Sequence, residues 1–129
     1  MKMSALIEKR LEKIQRLLGN LATEVLRGIP VIVEGEKDAR TLNNLGVSGS
    51  IILAKSSGKG LLDVLREVEG RGSDEVILLL DFDRRGREWT QRLAHGFETA
   101  KIKPNLVYWK ELSGIVGRDV KDIEGLSTY

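Results

Sequence analysis

Glu34 in Val33-Glu34-Gly35, with Asp81 and Asp83 in Asp81-Phe82-Asp83-Arg84-Arg85-Gly86, are the side chains of this sequence best suited to chemistry. Each group follows an apolar run of β-strand character, Ile29-Pro30-Val31-Ile32-Val33 and Val76-Ile77-Leu78-Leu79-Leu80. Carboxylates where buried strands emerge lie at the mouth of an α/β sheet, the edge at which such folds bind ligands. Three oxygen donors from two strand ends suit a hard divalent cation, and Mg²⁺ is the usual occupant, with phosphate and water completing its shell. Such a cation also relieves the mutual repulsion of crowded carboxylates. The alternative for each acid is helix capping: Asp83 precedes a helix starting near Arg84, and Glu36 or Asp38 suits a first helical turn.

For these acids to meet, the elements around them must stand in one order. From residue 29 onward strand and helix patterns alternate. Strands are expected at 30–34, 50–54, 75–81 and 105–108, and helices at 37–45, 58–69, 84–100 and near 109–116. Gly46, Gly70, Gly72 and Pro104 fall where helices end. Alternation of this kind makes a parallel sheet with right-handed crossovers. If its order is 2-1-3-4, the first and third strands are neighbours, and Glu34 stands beside Asp81. In extended backbone Asp81 and Asp83 point to one side while Phe82 points away. Ahead of the first strand, Ile7, Leu11, Ile14, Leu18, Leu21 and Val25 form a helical stripe within residues 4–27. Leu6 and Leu17 widen it, which suits a flank of the same domain better than a strict coiled-coil seam, although a dimerisation arm is the other use. The expected organisation is one unit: an N-terminal amphipathic helix over 1–28, then an α/β domain over 29–129 with a short C-terminal tail.

The chain has 129 residues, 41% hydrophobic and 31% charged, as a globular domain has. It contains no cysteine, which excludes disulfides, thiol nucleophiles, thiolate zinc sites and zinc-ribbon modules. No apolar run reaches membrane-spanning length and no secretory leader is evident, so a cytoplasmic location is expected. The net charge of +2 is small, but residues 84–103 carry six basic side chains against Glu88 and Glu98. Residues 2–28 are similarly basic, while 63–75 and 111–124 are acidic. This asymmetry can steer a polyanion to one side of the molecule.

At these residues the sequence resembles the Toprim domain of bacterial-type primases, topoisomerases, recombination proteins and certain nucleases. The resemblance rests on Glu34-Gly35 after the first strand and Asp81-x-Asp83 after the third, and covers residues 29 to about 110. It looks most like the small stand-alone archaeal Toprim proteins. It implies a four-stranded parallel sheet flanked by helices, and a site for phosphodiester chemistry using one or two Mg²⁺ or Mn²⁺ ions. Glu34 would be a metal ligand or general acid/base; Asp81 and Asp83 would hold metal, with Asp81 able to bridge two ions. Arg84, Arg85 and Arg87 beside that site would hold a nucleic-acid backbone or form structural ion pairs. Lys55 and Lys59, in Lys55-Ser56-Ser57-Gly58-Lys59-Gly60, are further candidates for phosphate, although the P-loop spacing is missing.

Function follows by elimination among related chemistries. A topoisomerase needs a tyrosine nucleophile and strand-passage domains, and only Tyr108 and Tyr129 are present. A primase needs room for template and nucleotides. Water as nucleophile needs neither, so a metal-dependent nuclease is the simplest enzyme. The alternative is a non-catalytic metal- and nucleic-acid-binding module of an RNA-processing or DNA-repair assembly, with RNA or DNA, protein partners or a second copy as its contacts. A receiver domain would need paired acids after the first strand, and a haloacid-dehalogenase fold would place its Asp-x-Asp there. Asp119, Lys121, Asp122 and Glu124 form a polar tail that either approaches the site or is solvated, the solvated reading being preferred, and His95 reads as an isolated helical residue.

Overall fold

Strands whose residues are apolar without interruption must be covered on both faces, and this requirement organises the chain. The computed structural model describes residues 2–55, 60–116 and 123–125. The elements run α1 (Lys2–Leu26), β1 (Val31–Val33), α2 (Glu36–Asn44), β2 (Ile51–Leu53), α3 (Leu61–Gly70), β3 (Glu75–Leu78), α4 (Arg84–Thr99), β4 (Lys103–Asn105) and α5 (Val107–Val116). The four strands form one parallel sheet in the order β2-β1-β3-β4, the expected arrangement. Ile32 stands opposite Ile52 of β2 and Leu78 of β3.

The strand pleat divides the interior into two cores. Val31, Val33, Ile77 and Leu79 point into one, which α1, α2 and α5 cover through Leu21, Val25, Leu42, Leu112 and Val116. Ile32, Val76, Leu78 and Leu80 point into the other, covered by Val64 and Val68 of α3 and Leu93 and Phe97 of α4. Of α1, the C-terminal half supplies the packed stripe, Ile14, Leu17, Leu18, Leu21 and Val25. Leu6 and Ile7, nearer the N-terminus, are exposed. The apolar periodicity thus runs further along α1 than the surface available to cover it.

The fourth strand lies earlier than the expected 105–108. β4 is Lys103–Asn105, and Leu106-Val107-Tyr108 enters α5 instead. Tyr108, Leu112 and Val116, four apart, all face the α1 side, so a helical stripe wins over the local β preference of Val and Tyr. Pro104 sits inside this strand, which is tolerable because β4 is the sheet edge. The Asn105 carboxamide oxygen accepts the Val107 N–H at 3.0 Å and starts the turn into α5. Beyond the regular strands, hydrogen bonds carry the sheet toward the acids: Leu79 N–H donates to the Ile32 carbonyl, and Lys55 N–H to the Glu34 carbonyl, both at 2.8 Å.

Candidate functional site

Glu34 and Asp81 leave adjacent parallel strands at the same end of the sheet. Their separation of 47 residues in sequence closes to a hydrogen bond, the Asp81 N–H donating to Glu34 Oε1 at 3.4 Å. Glu34 is buried, and its other carboxylate oxygen, Oε2, pairs with Lys55 Nζ at 2.8 Å. Both acids line an open cavity of about 580 Å³ above β1, β2 and β3. Burying a carboxylate requires compensation, and Lys55 supplies it from the end of β2.

The Asp81 backbone is held from three directions. Its N–H meets Glu34, its carbonyl accepts Trp109 Nε1–H at 3.2 Å, and the first turn of α4 presses on that carbonyl at Gly86. A Cβ on Gly86 would collide with the Asp81 carbonyl oxygen. The glycine of Asp81-x-Asp83-x-x-Gly86 therefore permits close approach of helix and strand end. Trp109 also packs its ring against Phe82, centroids 6.3 Å apart.

Asp83 occupies a different position. It is the N-cap of α4, its Oδ1 accepting the Gly86 N–H at 2.7 Å. It is exposed, and it is not among the residues lining the cavity. Extended geometry through Phe82 would point it with Asp81, but the turn into α4 begins at once and directs its carboxylate to the helix terminus. Among the described residues no group of three or more His, Cys, Asp or Glu side chains is arranged to hold a metal ion.

Other groups that sequence reasoning passed over reach the cavity. Lys37 and Arg40, one turn apart on α2, line it together with Asp38 and Glu124. Asp38 is buried and does two structural jobs: Oδ2 accepts the Gly35 N–H at 3.1 Å, and Oδ1 accepts the Glu124 N–H at 3.2 Å. Glu124 thus stands at the site and Ile123 is fully buried in the α1-side core, so at these residues approach to the site replaces the preferred solvated reading. An apolar residue between acids was the available signal. Asp119, Lys121 and Asp122 lie outside the described residues, as do residues 56–59, Lys59 among them. Arg84, Arg85 and Arg87 are exposed on α4, and Arg84 Nε pairs with Glu88 Oε1 at 3.2 Å. The cations lining the cavity are Lys37, Arg40 and Lys55.

The donor chemistry fits a hard cation on Glu34 and Asp81. Both side chains offer carboxylate oxygen, and the ammonium of Lys55 on Glu34 shows that the position accepts a positive charge. Five carboxylates and three cationic side chains line the cavity, an excess that one divalent ion would neutralise. A second ion finds less support, since Asp83 is committed to α4.

Tyr108 is removed from nucleophilic duty. Its hydroxyl donates to Glu24 Oε2 at 2.8 Å, and burial, reinforced by Glu24, raises its pKa well above the ordinary value of 10.0. The folded state therefore favours the neutral phenol. That stabilisation is complete below about pH 10 and is lost as pH rises beyond it. Alkaline titration followed by phenolate absorbance should show Tyr108 ionising only well above pH 10 or on unfolding, and Tyr108→Phe should flatten the alkaline fall in stability.

Comparison with known proteins agrees with this architecture. Residues 30–110 match the Toprim domain family. A UPF0292 protein of Methanosarcina barkeri is 36% identical over 121 residues, covering 94% of this chain and 82% of that protein. A UPF0292 protein of Methanocaldococcus jannaschii is 36% identical over 119 residues, covering 92% and 90% respectively. A solved structure of a protein from Aquifex aeolicus superposes with a TM-score of 0.71 at 24% identity, covering 84% of this chain and 94% of that one. That likeness is one of fold. The family match supports a metal-binding role connected with nucleic acid, and no helix among the described residues is long and apolar enough to cross a membrane.

Proposed function

The chain belongs to the Toprim domain family, alongside archaeal UPF0292 proteins, and from that premise we propose a Mg²⁺-dependent nuclease, with Mn²⁺ as an alternative ion. The observation that carries this reading is the convergence of Glu34 and Asp81, from neighbouring strands, on a cavity whose other walls hold Lys37, Arg40 and Lys55. The ion held by Glu34 and Asp81 would polarise the scissile phosphate and offset charge on the attacking and leaving oxygens. Lys37 and Arg40 bind the phosphate backbone within the cavity, and Glu34 acts as metal ligand or, in the alternative, as general acid/base. Asp83 serves the site by fixing the start of α4 beside Asp81, and its free edge is available to a ligand that approaches from solvent. We treat residues 1–28 as part of the same unit as 29–129, because the second half of α1 shares its core; the exposed Leu6 and Ile7 are where a protein partner or second copy would contact it.

A second reading, a binding module without turnover, is favoured by two observations: Glu34 is already ion-paired and Asp83 already caps a helix. Incubation of purified protein with mixed RNA and DNA in Mg²⁺ or Mn²⁺ separates the two. Cleavage that disappears in the Glu34→Gln/Asp81→Asn/Asp83→Asn variant supports the nuclease. Metal-dependent binding without cleavage supports the module.

The two sets of basic residues make different predictions. Nucleic-acid affinity should fall as salt rises, because phosphate contacts release counterions. Lys37→Ala/Arg40→Ala should weaken binding about tenfold or more at moderate salt, and lower the salt slope by up to about two. Arg84→Ala/Arg85→Ala/Arg87→Ala should weaken binding to many sequences alike if these exposed arginines extend the track. Unchanged binding in that triple variant restricts the track to the cavity.

A further inference from the structure

Lys55 stands out because its place is built by the backbone. The β1–β2 ladder does not stop at the regular strands: Ala54 N–H donates to the Val33 carbonyl and Lys55 N–H to the Glu34 carbonyl, both at 2.8 Å. Main-chain pairing therefore sets Lys55 directly beside Glu34, and the side chains meet Nζ to Oε2 at 2.8 Å. The partners differ in environment, the Glu34 side chain being 7% exposed and that of Lys55 43%. The carboxylate is trapped, whereas the ammonium has an open route into the cavity it lines with Lys37 and Arg40.

We propose that Lys55 is the resident counter-ion of Glu34, displaced when a divalent cation binds Glu34 and Asp81, and that the released ammonium then holds a phosphate group of the polyanion. This rests on the proposed metal-dependent reading of the same site and adds to it a direction of coupling. Before metal binds, Lys55 compensates the buried charge, so the fold does not depend on the ion. After metal binds, two cations cannot share one oxygen at that distance without repulsion, and the flexible, half-exposed partner moves. Metal and polyanion then favour each other through Lys55, which is unavailable to phosphate while it is paired to Glu34.

The test compares the full-length wild type with Lys55→Met, which keeps the length and removes the charge, and with Lys55→Arg, which keeps the charge. In calorimetric titration with Mn²⁺ alone, Lys55→Met should bind about fivefold tighter than wild type, the value of losing a partly exposed competing ion pair. Lys55→Arg should stay close to wild type. In chelator Lys55→Met should melt lower than wild type, and saturating Mn²⁺ should raise its Tm by the larger amount. A readout on the wild type guards against a variant that folds poorly: amine acylation of Lys55, quantified by mass spectrometry, should rise several-fold on adding Mn²⁺ while that of exposed Lys101 stays level. Single-stranded nucleic acid should bind wild type more tightly with Mn²⁺ than without, and Lys55→Met should lose most of that gain. Equal or weaker Mn²⁺ binding by Lys55→Met, with wild type binding normally, overturns the counter-ion role and leaves the metal site standing. Absence of Mn²⁺ binding in all three proteins overturns both.

Discussion

Asp81→Asn should reduce metal-dependent cleavage by at least about a hundredfold, the scale on which a group acting on developing charge contributes. Asparagine keeps the volume of aspartate, and three restraints on this residue act on its main chain: its N–H to Glu34, its carbonyl to Trp109, and the approach of Gly86. The backbone should therefore stay in place while an anionic donor to the cation is lost. Calorimetry with Mn²⁺ should show binding greatly weakened, and the melting curve in chelator should hardly move. Retained cleavage would assign the activity elsewhere. Glu34→Gln should be comparably inactive but behave differently without metal. Repulsion between acids, considered from sequence alone, predicts a variant at least as stable as wild type. Glu34 is instead compensated by Lys55, so neutralising it should cost about 1 kcal/mol. Asp83→Asn separates two roles, since asparagine caps helices as aspartate does. Its stability should be retained, and any lost activity then reports on the charge.

Gly86→Ala should be the most disruptive single methyl added near the site. The new Cβ would overlap the Asp81 carbonyl, a main-chain atom that cannot rotate away. Relief requires α4 to back off from the β3 terminus, with an overpacking cost of about 2–3 kcal/mol, and a Tm lower by roughly 10 °C. Mn²⁺ affinity should fall as well, because Asp81 moves with its backbone. Two other glycines act as controls. Gly96→Ala meets Leu65 Cδ1 at 3.2 Å, the end of a flexible side chain, and should be far milder. Gly19→Ala meets nothing within 4 Å on the exposed face of α1 and should stabilise by up to about 1 kcal/mol. Thermal melts of the three variants with and without Mn²⁺ distinguish a local clash from a general intolerance of alanine. If Gly86→Ala melts with the controls, the close approach of α4 does not hold Asp81.

The strand-helix alternation and the parallel sheet were legible because each rests on local signals, whereas the strand order entered only as the condition for the acids to meet. Doubly buried strands are apolar without interruption, helices carry a stripe, and the order that lets Glu34 meet Asp81 is the one found. Leu106-Val107-Tyr108 was misread because apolar β-formers look alike in an edge strand and in a helix. Only the presence of the α1-side core decides that Tyr108, Leu112 and Val116 face one way.

By itself the sequence determined which residues are acidic at the two strand ends, and hence the hard-cation chemistry available. Tertiary structure decided how each acid is used. Glu34 is paired with Lys55 because the ladder continues past β2; Asp83 turns away because α4 starts immediately and its N–H groups need an acceptor; Glu124 reaches the cavity because Ile123 is drawn into the core. A residue's chemistry is carried in its own atoms, and can be read along a chain. Its partners are set by hydrogen-bond and burial demands of segments distant in sequence, and those are met only when the sheet closes.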